Sequence, residues 1–110
     1  MRTFVTLALA AFGASTVAAH ALEARFVKTP TVGCFDRDIL QRASDLRDDH
    51  RDAERDALMQ DAFSRGACMP VRAGVMVAME DSDILSGLAK VRAQNEPRAI
   101  WLRYHDLSED

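Results

Sequence analysis

The sequence predicts an α+β domain: an N-terminal helical hairpin packed on a small three-stranded antiparallel meander and closed by one disulfide. Three observations predict it. The stretch from Asp36 to Arg65 contains no proline or glycine and ends at Gly66, as a capped helical segment does. Beyond Met69 the apolar period shortens to that of strands, with β-branched and aromatic residues set between turn signals. The chain also holds two cysteines, Cys34 and Cys68, behind an N-terminal segment of export type.

That segment begins with a single charge, Arg2, and continues through the apolar run Phe4 to Ala14 to small residues around Ala19-His20-Ala21, an A-x-A site of the kind signal peptidase cuts. Its alanine-rich apolar stretch is shorter than the roughly 20 strongly apolar residues that span a bilayer. Residues 1–21 are therefore expected to be a leader, cut after Ala19 or Ala21, leaving no membrane span. A periplasmic or secreted location follows, and the absence of a cysteine beside the cut argues against a lipid anchor. Removing 21 of 110 residues leaves 89, enough for one domain over 22–110. A domain of that size buries only roughly 60 to 65% of its unfolded surface, and exported ones compensate with a covalent staple. Cys34 and Cys68 are the expected pair. A redox-active couple would sit in a short C-x-x-C, and these two are far apart in sequence.

In chain order, residues 22–35 read as an extended arm or first edge strand, in which Pro30 and Gly33 discourage regular structure before Cys34. Asp36 is placed to cap a helix, with Asp38 in its first turn. Ile39, Ala43, Leu46, His50, Ala53 and Ala57 recur at spacings of four and three, the stripe of an amphipathic helix. The polar stretch Asp48 to Asp52 interrupts it. One straight helix over residues 36–66 would be longer than so small a domain is wide, so two helices are expected, broken near residues 48–51, with Asp49 capping the second. The second carries Ala53, Ala57, Leu58, Ala62 and Phe63. Nine acids and six arginines between Asp36 and Arg65 read as a solvated face of weak ion pairs.

Residues 69–107 are expected to form the meander. Val71, Val75, Val77 and Met79 lead to an acidic turn at Glu80-Asp81-Ser82-Asp83, then to a strand with Leu88, Ala89 and Val91, a polar turn from Gln94 to Arg98, and a last strand with Ile100, Trp101, Leu102 and Tyr104. Met69, Met76 and Met79 are expected in the core.

This stretch resembles the C-terminal half of bacterial SH3-like domains, small barrels of exported proteins. The resemblance runs through Val71-Arg72-Ala73-Gly74, Val75-Met76-Val77, Gly87-Leu88-Ala89-Lys90-Val91-Arg92, and Trp101-Leu102 leading to Asp106-Leu107. It implies an SH3-like arrangement of the three strands. Ile100 stands where the family usually has glycine, and the helices replace the family's opening strand and long first loop, which supply much of its ligand groove.

The formal net charge is -3, and -4 without Arg2; arginines and lysines alternate with acids instead of clustering, which excludes a duplex-binding surface. His50 lies among Asp48, Asp49 and Asp52, and His105 beside Asp106 with Glu109 beyond, yet neither falls in a metal-ligand spacing; His20 leaves with the leader. Phosphate-loop, dinucleotide and nucleophile-elbow motifs do not occur. No cofactor or metal is expected. Trp101, Arg103 and Tyr104 remain as candidate binding residues, because rigid aromatics and arginine dominate recognition hot spots. Trp101 also has the composition of a core residue. The expected function is non-enzymatic: recognition of a protein or cell-wall peptide, including the role of an inhibitor or immunity protein. A small hydrolase using His105 with Asp106 or Glu109 is the alternative.

Overall fold

A computed structural model of the protein describes residues 23–109. The expected leader, residues 1–21, lies outside the described residues. The rest is α+β: strands β1 (Glu23–Phe26) and β2 (Thr31–Cys34), helices α1 (Arg37–Asp48) and α2 (Asp52–Ser64), then strands β3 (Cys68–Val71), β4 (Met76–Asp83), β5 (Leu88–Ala93) and β6 (Ile100–Arg103), followed by a 3-10 turn over Tyr104–Asp106. All six strands join one antiparallel sheet in the order β1-β4-β5-β6-β2-β3.

Six strands replace the expected three. The predicted arm is two strands, β1 at an edge and β2 in the interior between β6 and β3. Gly33 does not break β2; a Cβ there would stand 2.5 Å from Ile100 Cδ1, so the glycine is what lets this strand approach the core. The predicted acidic turn is also strand. Glu80 sits at a bulge between Met79 and Asp81, Asp81 faces Lys90 across the ladder, and the reversal comes later, at residues 84–87. Opposite charges facing across strands offset the low strand propensity of aspartate.

The sheet closes on itself. Past β1, Val27 bridges Leu107, which follows the 3-10 turn. On one side Val27 donates to the carbonyl of Val75 at 3.0 Å and accepts from the Gly74 amide at 2.8 Å; on the other Lys28 donates to Asp106 O at 2.7 Å and Ser108 to Phe26 O at 2.8 Å. Inside the ring lies the first apolar cluster, with Val27, Val77, Val91, Leu102 and Leu107. Strand alternation sends neighbouring residues the other way, into a second cluster under the helices: Leu88 from β5, Leu40 from α1, Ala62 from α2 and the Cys34–Cys68 disulfide. The two cysteines are direct cross-strand partners in β2 and β3.

The helical segment divides where the polar interruption predicts. Asp36 caps α1, its carboxylate accepting from the Asp38 amide at 2.9 Å. Asp49, expected to start the second helix, ends the first. His50 follows with φ 61°, its amide donating to Arg47 O and that of Arg51 to Leu46 O. The same pair of bonds closes α2, with Gly66 at φ 73° donating to Phe63 O and Ala67 to Ala62 O. Both ends are Schellman caps, and His50 occupies the left-handed position that glycine takes at the other. Because the chain turns there, the predicted stripe does not continue: Ala53 and Ala57 are exposed, and Met59 and Ala62 make the buried side of α2. Phe63 and, in the strands, Met69 and Met76 are likewise exposed.

Candidate functional site

Each residue of β6 alternates between the two sides of the sheet. Ile100 and Leu102 enter the ring, whereas Trp101 and Arg103 face the helices. Trp101 is half-buried on the second cluster, directly across from Cys34, with the Arg37 guanidinium 5.8 Å above its ring. Arg37 in turn pairs with Asp83 at 2.8 Å. Tyr104 belongs to another neighbourhood, where Arg25 of β1 lies 5.6 Å over its ring and donates to its hydroxyl at 3.4 Å. Trp101 and Tyr104 thus take different partners, Arg37 from the helical side and Arg25 from the β1 edge.

Arg103, the residue between them, lines a cleft of about 380 Å³. One helical face of α1 supplies Leu40, Ala43, Ser44 and Arg47; α2 adds Arg55 and Met59; Pro30 and the first residue of β2, Thr31, complete that side. A second cleft of about 300 Å³ shares Ser44, Arg47 and Arg103 and extends to Leu85 and His105. Those three residues line both clefts, which together are the trough between α1 and the end of β6. Arg103 is half-buried and has no ion-pair or hydrogen-bond partner for its guanidinium among the described residues. Arg47 reaches Asp48 only at 3.9 Å, and Arg55 pairs with Asp52 at 3.6 Å and Asp56 at 3.2 Å on the exposed side of α2. The carboxylate in the trough, Asp106, is engaged elsewhere: Thr31 Oγ1 donates to it at 2.6 Å and His105 Nε2 lies 3.5 Å from its other oxygen.

His105 has a side chain 72% exposed, and Glu109 is exposed. His50 lies on the surface at the helix junction. Among the described residues no group of histidine, cysteine and acidic side chains is arranged to hold a metal ion. At the turn between β4 and β5, Ile84 and Leu85 project into solvent, 82% and 100% exposed. A smaller, mostly apolar cleft of about 180 Å³ includes Phe35, Val75 and Ile100, with the Arg98 guanidinium 3.7 Å over the Phe35 ring.

Of the three candidate binding residues, the trough takes in Arg103 alone. Arg47 and Arg55 count among the six arginines of the solvated helix face, and Ser44 stands in no motif. The usable signals were the 40, 44, 47 spacing, which sets three residues on one helical face, and the alternation that places Arg103 on the side of Trp101. Compared with known protein families, curated proteins and solved structures, the chain matches none.

Proposed function

We propose that the protein is a small exported, non-enzymatic binding domain that recognises a protein or cell-wall peptide, with an extended segment of the ligand lying in the trough between α1 and β6. The observation that carries this reading is the pair of clefts lined in common by Ser44, Arg47 and Arg103. Sites for small ligands are concave, with apolar walls and a few placed polar groups, and Leu40, Ala43 and Met59 beside the arginines fit that description. A disulfide, and the absence of any helix among the described residues long and apolar enough to cross a membrane, are compatible with an extracellular or periplasmic setting. Export itself rests on the leader-like residues 1–21.

The SH3-like reading of the sheet draws support from the Val27–Leu107 bridge and the 3-10 turn before it, which close a ring through β1, β4, β5 and β6. In that reading β2, both helices and β3 occupy the place of the family's long first loop, and the trough replaces its groove. The inhibitor or immunity role draws on the projecting Ile84-Leu85 tip, which stands beside the outer end of the trough. An exposed His105, next to an Asp106 already held by Thr31, favours ligand contact over general-base chemistry.

Amide chemical shifts of the mature domain, followed by NMR during titration with cell-wall stem peptides and a pool of unstructured decapeptides, test this reading. Perturbations are expected at Ser44, Arg47, Leu85 and Arg103, and Ser44→Trp, which fills the trough from α1, should abolish them while leaving the spectrum folded. Perturbations centred on Phe35 and Arg98, or none with any ligand, would overturn the assignment.

A further inference from the structure

Three arginines, Arg47, Arg55 and Arg103, line the inner cleft of the trough, and one carboxylate, Asp106, lines it with them. We infer that the trough is a carboxylate-binding site: it holds an acidic side chain or the terminal carboxylate of a bound peptide, with Arg103 as the central clamp and Arg47 and Arg55 flanking it. The inference rests on the peptide-binding reading of the same trough and specifies what that ligand must carry.

Arg103 is the first support. Arg103 is half-buried as a residue, its guanidinium presents five donors in a planar fork, and none meets a protein acceptor among the described residues. Folding has brought this residue into a cleft with both helices without giving its guanidinium a partner among the described residues. Asp106 is close enough to line the same cleft, yet it accepts from Thr31 and adjoins His105 instead of pairing with Arg103. The positive charge is thus left available at the point common to both clefts.

The flanking arginines are held loosely. Exposed ion pairs such as Arg55 with Asp52 and Asp56, or Arg47 with Asp48, contribute little, so exchanging them for a ligand carboxylate costs little. The walls strengthen the attraction: Pro30, Val32, Leu40 and Met59 displace water from one side of the site, and a charge pair next to apolar surface is screened less than one in bulk solvent. Arginine, unlike lysine, grips a carboxylate with two parallel hydrogen bonds, which supplies orientation as well as affinity.

The rim decides between a single carboxylate and a polyanion. Asp48 lines the outer cleft, and Asp52 and Asp56 flank Arg55, so a chain of phosphates would meet a negative charge on either side of the arginines. A peptide with one acidic group escapes that repulsion. Two carboxylate sources, an internal glutamate and a free C-terminus, share the required chemistry.

Three pentapeptides separate the outcomes: one blocked at both ends with a central glutamate among alanines, the same with glutamine, and an all-alanine peptide with a free C-terminal carboxylate. The glutamate peptide, the free-carboxylate peptide or both should bind at least about tenfold more tightly than the glutamine peptide, which equals about 1.4 kcal/mol. Arg103→Gln should remove the preference, Arg103→Lys should keep part of it, and Arg55→Gln should weaken it without touching the strand that carries Arg103. Raising the salt concentration should reduce it in the wild type. Equal binding of glutamate and glutamine peptides in the trough would overturn the carboxylate inference and leave the peptide-binding reading standing. Binding of all three peptides elsewhere would overturn both. Displacement of the glutamate peptide by inorganic phosphate at lower concentration than by acetate would replace the carboxylate with a phosphate as the preferred group.

Discussion

Trp101 lies across from the disulfide on the face of β6 that the helices cover, and its role follows from that address. Its ring is half-buried on the second apolar cluster, with the Arg37 guanidinium 5.8 Å from its centre. Truncation removes apolar contact over the disulfide and leaves Arg37 without its ring. Trp101→Ala should therefore cost about 2 to 4 kcal/mol, toward the lower end for large-to-small changes because the site already reaches solvent. For a domain of this size that lowers the melting temperature by roughly 10 °C or more. Thermal unfolding followed by circular dichroism checks it; a variant melting within a few degrees of wild type would put the ring outside the core.

Among the elements, β4 departs furthest from its sequence signature, because its acidic second half reads as a turn and is paired strand. The strand is held by what faces it: Lys90 opposite Asp81, and Arg92, whose guanidinium donates to both oxygens of Glu80 at 2.6 and 3.3 Å and also to the carbonyl of Pro97. Those hydrogen bonds hold the Glu80 carboxyl below its ordinary value of 4.5. A carboxylate whose folded pKa is lowered contributes stability that is complete above its unfolded value and is lost as the pH falls through the folded one. The contribution of a surface pair is modest, about 0.2 to 1 kcal/mol. Between about pH 6 and pH 3, wild type should lose more stability than Glu80→Gln, and above pH 6 the variant should be the less stable of the two. Denaturant melts across that range measure the difference; parallel curves would show that the bridge contributes nothing.

For the molecule as a whole, the disulfide and the closed ring have separate responsibilities. The ring runs through β1, β4, β5, β6 and the Val27–Leu107 bridge, and no cysteine belongs to it. Cys34–Cys68 ties β3, an edge strand with β2 as its only neighbour among the described residues, to the sheet and closes the part of the chain that contains both helices. Closing a loop of this length stabilises by about 3 to 4 kcal/mol in the chain-entropy model. Reduction should lower the melting temperature by roughly 15 °C. Hydrogen exchange should then accelerate first in β3 and at the end of α2, while β5 amides stay protected. Uniform acceleration across the sheet would mean that the ring depends on the staple. The trough, which is lined by both helices, should lose ligand under the same conditions.

What the sequence determined by itself is local or forced by chemistry. Asp36 and Gly66 bound the helical segment because caps need those residue types, and the break near residues 48–51 was legible because a polar interruption cannot be buried. The cysteine pairing was legible because only one pairing exists. β5 and β6 were legible as strands because β-branched and aromatic residues stand there between turn signals. Tertiary structure decided the rest. Whether Thr31 to Cys34 is an arm or an interior strand depends on β6 and β3 arriving on either side of it, and whether Glu80 to Asp83 turns or pairs depends on Lys90 and Arg92 standing opposite. The trough is the extreme case. Arg47, Arg55 and Arg103 come from two helices and a strand; Arg103 is legible as a candidate beside Trp101 and Tyr104, Arg47 and Arg55 look like ordinary surface cations along the chain, and only the packing of both helices against β6 brings the three to one cleft.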